Sequence, residues 1–355
     1  MQQPMVDAPG DPPGSRTRRP RYRGRNPRAF EQKYKELDPD RYPQAIEKVR
    51  AAGKTPAGSH VPIMVAEVLE CLRPQPGDLA VDCTLGGGGH AGPILERIQP
   101  GGRLVGLDID PIELPRTVGR LQANGFEPPA FVAHLRNFAG LPEVLTEAGV
   151  LADVIVADLG VSSMQLDNPS RGFSWKGVGP LDMRMNPSRG EPASGLIARL
   201  DETELATLLR ENADEPHAER IAGVLKRQPI ETTHALERLV RTHLMSPELR
   251  LDQAAVKLSV RRTFQALRIA VNDELSALGW LLRVLPGCLA AGGRVAILTF
   301  HSGEDRRVKK AFQHGYREGL YSAVARDVIR PTIEETRANR RATAAKLRWA
   351  VRSSS

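Results

Sequence analysis

The stretch Val81–Ala91, with the sequence VDCTLGGGGHA, runs from an apolar segment through four consecutive glycines towards a helical segment. Because glycine has no Cβ atom, the backbone of such a loop can lie close to a ligand, and the amides at a helix start attract a polar group. The stretch predicts the first strand, the ligand loop and the first helix of a parallel α/β sheet. A tight turn that binds nothing is the alternative.

Short apolar or β-branched runs separated by helical stretches extend this pattern along the chain, and they predict further strand–helix units. Two late runs alternate in side-chain character, as antiparallel strands do. We therefore expect an α/β fold of the Rossmann-like type, with a seven-stranded, mostly parallel sheet. The expected strands are Leu79–Cys83, Arg103–Asp108, Ala130–His134, Val154–Asp158, Arg294–Phe300, Tyr321–Val328 and Lys346–Val351.

Strand patterns are absent between Gln165 and about Leu258, where helical segments alternate with loops that contain proline and glycine. A helical insertion here would follow strand four and lie at the carboxyl edge of the sheet, where open α/β folds bind ligands. A single helix is expected at Val260–Leu282, because its apolar residues recur at helical spacing. The predicted domains are a basic, partly flexible arm (1–58), a sheet-containing core (59–165 and 259–355), and a helical insertion (166–258) that binds substrate.

Charge is concentrated at the start of the chain. Residues 1–58 contain 13 Lys or Arg against 7 Asp or Glu, so they carry most of the net charge of +8. Within this segment, Arg16–Arg28 contains seven arginines and no acidic residue. Such a composition does not form a core, and arginine binds the phosphates of nucleic acids well. A phosphate-binding arm and a merely solubilising tail are both open interpretations.

The overall composition excludes several classes of protein. Of the 355 residues, 41% are hydrophobic and 26% are charged, which is typical of a soluble globular protein. No run approaches the roughly 18 apolar residues of a membrane helix, and the first residues lack a secretory signal, so we expect a cytoplasmic protein without membrane partners. The three cysteines are widely spaced, which indicates neither disulfides nor structural zinc.

Two features near the glycine loop indicate which cofactor it binds. The loop fits a dinucleotide pattern, and Asp108 lies about 20 residues further on, where it can accept both hydroxyls of a ribose. However, Asp82 stands just before the loop, where a carboxylate would repel a pyrophosphate but suits a cationic amino-acid ligand. Strand four also ends in a polar turn at Asp158–Ser163. These features favour S-adenosylmethionine over a nicotinamide cofactor.

Eight motifs occur in a defined order from about residue 59 to the end of the chain. They are His60–Pro62, Val81–Ala91, Asp108–Pro111, Asp158–Ser163 followed by Gln165, Arg171–Ser174, Gly179–Met185, Arg262–Ile269, and Phe300–Ser302 with Glu304–Arg306. Together they resemble the ribosomal RNA small subunit methyltransferase H family. The resemblance implies a class I methyltransferase that uses S-adenosylmethionine to methylate the N4 amino group of a cytidine in the decoding region of small-subunit (16S) ribosomal RNA. The implied partner is this RNA or the 30S particle.

The resemblance also implies a set of cofactor-binding residues. They are Gly88, Gly89, His90, Asp108, Phe138, Asp158 and Gln165. The residue types agree with this assignment, because Asp108 suits a ribose and the Phe138 ring can flank an adenine. Asp158 and Gln165 lie where the methionine end of the cofactor would meet the methyl acceptor. Asp158 is the candidate catalytic residue, as the acceptor of the N4 proton, and the backbone carbonyls of its turn are the alternative acceptor.

Other residues leave alternatives open. Phe173 and Trp175 can hold an unstacked base or pack inside the insertion. His301, Glu304 and Asp305 lack the spacing of a tight metal site and fit a helix start, so no metal is expected. A methyltransferase for another RNA or a protein, and an RNA-binding assembly factor without catalytic turnover, are the alternative functions. The oligomeric state is not indicated.

Overall fold

Seven strands form a single sheet at the centre of the computed structural model, which describes residues 62–354. The strands are β1 (Leu79–Asp82), β2 (Arg103–Asp108), β3 (Phe131–Leu135), β4 (Ala152–Asp158), β5 (Leu289–Thr299), β6 (Tyr321–Val324) and β7 (Lys346–Arg352). Their order is β3-β2-β1-β4-β5-β7-β6. β1 to β5 run parallel, and β7 runs antiparallel to both β5 and β6. The predicted seven-stranded, mostly parallel α/β sheet is confirmed, whereas the predicted arm at 1–58 lies outside the described residues.

Helices cover both faces of this sheet, which is why central strands such as Leu79–Asp82 are buried at every residue. The helices of the sheet-containing part are α1 (Val65–Leu72), α2 (Ala91–Ile98), α3 (Glu113–Ala123), α4 (Leu141–Ala148), α5 (Ser163–Asp167), α11 (Glu274–Cys288), α12 (Ser302–Arg317) and α13 (Ile333–Ala338). α1, α2 and α3 share one apolar cluster with the sheet, and α4, α11 and α12 share another. The sheet is therefore sandwiched between two helical layers.

The chain changes direction across the sheet at β1. Val81 in β1 pairs with Val105 of β2 on one side and with Ile155 of β4 on the other. The loops that follow these strands consequently leave the sheet in different directions and open a crevice at its carboxyl edge. The candidate site is expected in this crevice.

A second group of helices follows β4 and has an apolar core of its own. These helices are α6 (Ala193–Arg199), α7 (Glu202–Ala213), α8 (Ala218–Leu225), α9 (Thr233–Leu244) and α10 (Gln253–Val271). Leu205, Leu236 and Phe264 are among the buried residues of this core. The cluster supports a separate packing unit after strand four, while the domain limits at 165/166 and 258/259 stay predictions. Helix α10 crosses the second of these limits.

The single helix predicted at Val260–Leu282 is wrong. The structure has two helices, α10 and α11, which are separated at Asn272 and Asp273. Asp273 has φ 48°, in the left-handed region, so the chain turns between them. The physical reason is that Phe264 packs in the core of the insertion whereas Leu278 packs against the sheet. A continuous apolar stripe therefore serves two different cores.

Several strand limits also differ from the predicted ones. β3 is shifted by one residue, β5 begins at Leu289, and β6 ends at Val324. The early start of β5 follows from the pairing of Leu289 with Ala152 of β4, a contact between distant segments. Among the described helices, none is long and apolar enough to span a membrane.

Candidate active site

The acidic residues predicted for the site lie at the ends of three neighbouring strands. Asp82 ends β1, Asp108 ends β2 and Asp158 ends β4. Because these parallel strands are adjacent, their carboxyl ends meet at one edge of the sheet. The glycine loop, residues 83–90, crosses the same edge and leads into α2. The structure therefore brings the predicted acidic residues and the predicted loop together.

Two glycines of this loop are required by its geometry. Gly88 has φ +72°, which other residues rarely adopt, and a Cβ atom there would lie 3.0 Å from Cγ2 of Thr117. A Cβ atom on Gly89 would lie 2.4 Å from Cγ of Pro62. The loop is thus packed closely between α3 and the start of the described chain. Gly88 and Gly89 keep it in a compact turn at the edge of the sheet.

Side chains of α3 hold the glycine loop from behind. The Thr117 hydroxyl donates to the carbonyl oxygen of Gly86, and Nη2 of Arg120 donates to that of Gly87 at 3.1 Å. Arg120 also donates to the Thr117 hydroxyl at 2.6 Å. Sequence reasoning missed both residues, since a polar helix face carries no signal of what it contacts. They orient the loop and leave its other side towards the crevice.

His90, which is buried, and Asp158, which is half-buried, form a pair at the candidate site. Nε2 of His90 lies 3.5 Å from Oδ2 of Asp158, and His90 is only 5% exposed. The backbone N–H of Asp158 donates to the hydroxyl of Thr84 at 2.6 Å, which fixes the start of the turn after β4. Nδ1 of His90 and Oδ1 of Asp158 are buried and have no hydrogen-bond partner within residues 62–354. Unsatisfied buried polar atoms of this kind are typical of a functional site.

Burial and neighbouring charges shift the titration of this cluster. Burial raises the pKa of Asp82 to about 6, although His90 and the N–H of Thr84 act against it. Burial also lowers the pKa of His90, but the close contact with the charge of Asp158 outweighs it, so the net pKa of His90 is raised. The charges of Asp82 and Glu335 contribute in the same direction. The His90 imidazolium is therefore stabilised beside acidic groups.

The raised pKa of Asp82 gives a prediction for stability. A carboxyl group whose pKa is about 6 when folded, against 3.8 ordinarily, binds its proton more tightly in the folded state. Stability should therefore fall as the pH rises from about 4 to above 6, by on the order of 3 kcal/mol from this group. Asp82→Asn should remove that part of the dependence, as measured by urea unfolding at pH 4.5 and pH 7. An unchanged pH dependence in the variant would contradict the assignment.

Asp108 is engaged by the backbone on both carboxylate oxygens. Oδ2 accepts the N–H of Gly86 at 2.6 Å, and Oδ1 accepts the N–H of Asp110 at 2.8 Å. Burial raises the pKa of Asp108 while these backbone bonds act against it. Each carboxylate oxygen can accept a second hydrogen bond, so the group is pre-oriented to receive two hydroxyls. This geometry suits the ribose role predicted for it.

Phe138 and Gln165 lie on short elements after β3 and β4. Phe138 begins the 3₁₀ turn Phe138–Gly140 and is half-buried against the sheet core. Gln165 is buried, and its Oε1 accepts the N–H of Ser162 at 2.8 Å in a capping box at the start of α5. Its Nε2 donates to Oδ2 of Asp110 at 2.7 Å. The side chain of Gln165 thus orients the turn after β4, and its contact with a cofactor stays a prediction.

Of the two aromatic residues considered for base binding, Phe173 packs inside the insertion. Phe173 is 6% exposed and belongs to the core of the insertion. Trp175 is half-buried and packs edge-on against Phe264, with ring centroids 5.2 Å apart. Phe173 therefore has no free ring face for a base. Phe300, which follows β5, lies close to the turn after β4, since its Cδ2 would be 3.8 Å from a Cβ atom on Gly160.

The acidic group after β5 is explained by local contacts. His301 caps α12 in a capping box with Glu304, whose Oε2 accepts the N–H of Phe300 at 2.8 Å. Asp305 pairs with Lys346 at 3.1 Å and with Arg348 at 2.6 Å. Within the described part of the chain, no cluster of three or more His, Cys, Asp or Glu side chains could hold a metal ion. These residues fix the start of α12 and the end of the sheet.

The observed features fit an S-adenosylmethionine site at the carboxyl edge of a Rossmann-like sheet. A compact glycine loop lies beside Asp108, and His90 and Asp158, which carry buried unpartnered atoms, lie at the ends of the loop and of β4. This fold and site define a class I S-adenosylmethionine-dependent methyltransferase. The chain belongs to the MraW methylase family, whose model matches residues 57–353.

Individual relatives agree with this membership. The ribosomal RNA small subunit methyltransferase H 1 of Lachnoclostridium phytofermentans is 48% identical over 340 residues, covering 94% of this chain and 93% of the relative. The ribosomal RNA small subunit methyltransferase H 2 of Alkaliphilus metalliredigens is 47% identical over 342 residues, covering 95% and 98%. The ribosomal RNA small subunit methyltransferase H of an Anaeromyxobacter strain is 41% identical over 317 residues, covering 81% and 96%. The two longer alignments extend into the residues before Ala57.

Proposed function

We propose that this methyltransferase transfers a methyl group from S-adenosylmethionine to the N4 amino group of a cytidine in small-subunit ribosomal RNA, in the cytoplasm. Relatives at 47–48% identity that bear the name of a small-subunit ribosomal RNA methyltransferase support the substrate class. The structural observation that carries the reaction is the His90–Asp158 pair at the carboxyl end of β4, with the unpartnered Oδ1 of Asp158. The decoding-region position of the cytidine rests on the motif resemblance.

The chemistry explains why a carboxylate is needed there. The cytosine amino group is a poor nucleophile because its lone pair is delocalised into the ring, whereas the bound cofactor supplies a methyl group activated by positively charged sulfur. Alignment of the nitrogen with the carbon–sulfur bond lowers the barrier, by up to roughly 7 to 11 kcal/mol in well-oriented model reactions. As the nitrogen–carbon bond forms, the amino group becomes acidic and must lose one proton. Oδ1 of Asp158 accepts this proton in the proposed mechanism.

His90 has a supporting role in the same step. Its Nε2 faces the other carboxylate oxygen of Asp158 at 3.5 Å, and its raised pKa favours the cationic form. The contact fixes the orientation of the Asp158 carboxylate in the turn after β4. The cofactor is proposed to lie along the edge of the sheet. The residues that hold it in this proposal are Gly88, Gly89, His90, Asp108, Phe138, Asp158 and Gln165.

The decisive experiment is transfer of radiolabel from S-adenosylmethionine to small-subunit particles that lack the modification, followed by nucleoside analysis of the RNA. Label in N4-methylcytidine is the expected result. Label in a different nucleoside, or in protein, would contradict the proposed substrate but keep the methyltransferase activity. Parallel assays with naked ribosomal RNA identify the form of the substrate that the enzyme accepts. Bound cofactor without any label would favour a factor that lacks turnover.

The charge of α12 supports an RNA partner. This helix begins directly after His301 at the carboxyl edge of the sheet, and its exposed face is strongly basic. The exposed cations of its first half are Arg306, Arg307, Lys309 and Lys310. Two of them have local contacts, since Arg306 pairs with Asp214 and Arg307 donates to the carbonyl of Gly303. A basic helix beside the site suits the phosphates of an RNA strand.

The arginine-rich segment Arg16–Arg28 gives a prediction about RNA affinity. If half of its seven arginines neutralise phosphates, deletion of residues 1–28 should lower the slope of log affinity against log salt by about 3, at roughly 0.7 to 0.9 per phosphate. The measurement is RNA binding by the full chain and the deletion variant between 50 and about 200 mM salt. An unchanged slope would assign the segment no part in RNA binding. Normal cofactor affinity in the deletion variant is the control.

A further inference from the structure

A buried cation joins the insertion to the cofactor side of the site. Arg171 ends the 3₁₀ turn Pro169–Arg171, at the start of the segment between β4 and the helices of the insertion, and it is only 7% exposed. Its Nη1 donates to Oδ2 of Asp110 at 2.8 Å, and Asp110 is 1% exposed. Asp110 lies two residues beyond Asp108, so Arg171 is anchored to the turn that follows the predicted ribose-binding residue.

Asp110 connects Arg171 to two elements of the sheet-containing part. The same Oδ2 atom that receives Arg171 also accepts Nε2 of Gln165 at 2.7 Å. Oδ1 of Asp110 accepts the N–H of Ile112 at 2.9 Å. One carboxylate therefore connects Arg171 with the turn after β2 and with the capping box after β4. Both of these elements border the predicted cofactor site.

The other side of Arg171 holds a segment of the insertion. Its Nη2 donates to the carbonyl of Met185 at 2.8 Å and to that of Arg184 at 3.2 Å. The backbone carbonyl of Arg171 accepts the N–H of Met183 at 3.1 Å. From the opposite side, Asn272 accepts the N–H of Met185 at 2.7 Å and donates to the carbonyl of Met183 at 2.8 Å. The segment 183–185 is therefore fixed between two side chains.

The backbone of this segment shows that the contacts hold it in an unfavourable conformation. Met183 is fully buried and has φ 63°, in the left-handed region that side chains other than glycine rarely adopt. Such a conformation persists only where the surrounding contacts over-determine it. A buried ion pair is also weak evidence for stability, because apolar residues can replace it without loss. The geometry of the Arg171–Asp110 pair is better explained by a positioning role.

We infer that Arg171 is a positioning residue for methyl transfer, which keeps the segment 183–185 of the insertion in register with the cofactor side through Asp110. This inference rests on the proposed function. Arg171 touches neither methyl donor nor acceptor; it acts through the backbone of Arg184 and Met185. The planar guanidinium reaches one carboxylate and two carbonyl groups at once, which the single ammonium of a lysine cannot reproduce.

The test compares Arg171→Lys with Arg199→Lys, a matched change in an exposed ion pair of the insertion with Glu191. For each variant, cofactor affinity is measured by calorimetry, and kcat is measured at saturating S-adenosylmethionine and particles. Arg171→Lys should bind the cofactor within about twofold of the wild type, while kcat falls by roughly tenfold to a hundredfold because the acceptor is misplaced. Arg199→Lys should retain both. An Arg171→Lys enzyme that is folded and has wild-type kcat would overturn the inference.

A second readout does not depend on turnover. Hydrogen exchange of the amides of Leu181–Asn186 should slow when S-adenosylmethionine binds to the wild type and to Arg199→Lys, but not when it binds to Arg171→Lys. If Arg171→Lys fails to fold, Asn272→Ala tests the same segment from the opposite side and should show the same loss. Equal protection in all variants would contradict the inference. A wild type that shows this protection without methylating particles would contradict only the proposed function.

Discussion

Asp158→Asn is expected to lower kcat for methyl transfer by about 10²- to 10⁴-fold, the range found when a positioned acid or base is removed. Asparagine preserves the shape of the side chain and leaves the N–H of residue 158 on the Thr84 hydroxyl. It cannot accept a proton from the amino group, and it no longer balances the charge of His90. The measurement is kcat at saturating cofactor and particles, with cofactor affinity determined separately by calorimetry.

The control for this variant is Asp153→Asn in the same strand. Oδ2 of Asp153 accepts the N–H of Leu79 at 2.8 Å, at the opposite end of β4 from the site. The control therefore changes the same side chain in the same strand but should leave kcat within about twofold. Full turnover in Asp158→Asn together with normal cofactor affinity would exclude Asp158 as the proton acceptor. A loss confined to cofactor affinity would assign it to binding alone.

Gly179→Ala is expected to destabilise the insertion severely. A Cβ atom on Gly179 would lie 1.7 Å from the carbonyl oxygen of Pro169, so the loop segments that contain these two residues would have to move apart. The backbone of Gly179 is also held from the other side, because its carbonyl accepts the N–H of Thr233 at 3.0 Å. We expect a loss on the order of 3 kcal/mol or more, measured by urea unfolding and by proteolysis within residues 166–258.

The matched control is Gly279→Ala in the middle of α11. A Cβ atom at Gly279 meets no heavy atom within 4 Å among the described residues. Alanine is the better helix former, so this variant should gain about 0.5 to 1 kcal/mol. The same substitution is therefore expected to change the free energy of unfolding in opposite directions at two positions of one chain. Similar stability of Gly179→Ala and the wild type would show that Pro169 moves away easily.

The sheet could be predicted because its strands carry the signal locally. Arg103–Asp108 has the predicted limits, since an apolar run ends there in the acidic group that the fold places at the strand end. β5 was harder, because Leu289 pairs with Ala152 while the next pair of the ladder is Arg294 with Val154, and the irregular residues between them include two glycines. Pairing between distant segments leaves no trace in the local pattern. Strand existence was therefore predictable, whereas strand limits were not.

The helix prediction failed for a related reason. Periodicity reports that residues such as Phe264 and Leu278 are buried, but not what they are buried against. The turn at Asp273 depends on the presence of two cores, and an aspartate gives only a weak signal for the left-handed region. Phe173 illustrates the same limit, because an aromatic residue near a site can equally well pack in a core.

The parts of the candidate site that could be predicted are those at strand ends. The glycine loop follows β1, and Asp108 and Asp158 end β2 and β4, at the edge where this fold binds ligands. The contacts that orient these groups were not predictable. Thr117 and Arg171 donate to backbone carbonyls that are 31 and 13 to 14 residues away in sequence. A hydrogen bond to a carbonyl group selects no side-chain partner, so the sequence did not indicate these contacts, although Arg171 stands in one of the eight motifs.

The division of the apolar interior at Asn272 and Asp273 has an evolutionary consequence. α10 contributes to one apolar cluster and α11 to the other, and only two residues join them. Substitutions that reshape the insertion can therefore accumulate in one interior without forcing compensations in the other. In the proposed function, the insertion can then adapt to the RNA substrate while the groups proposed to hold the cofactor keep their places.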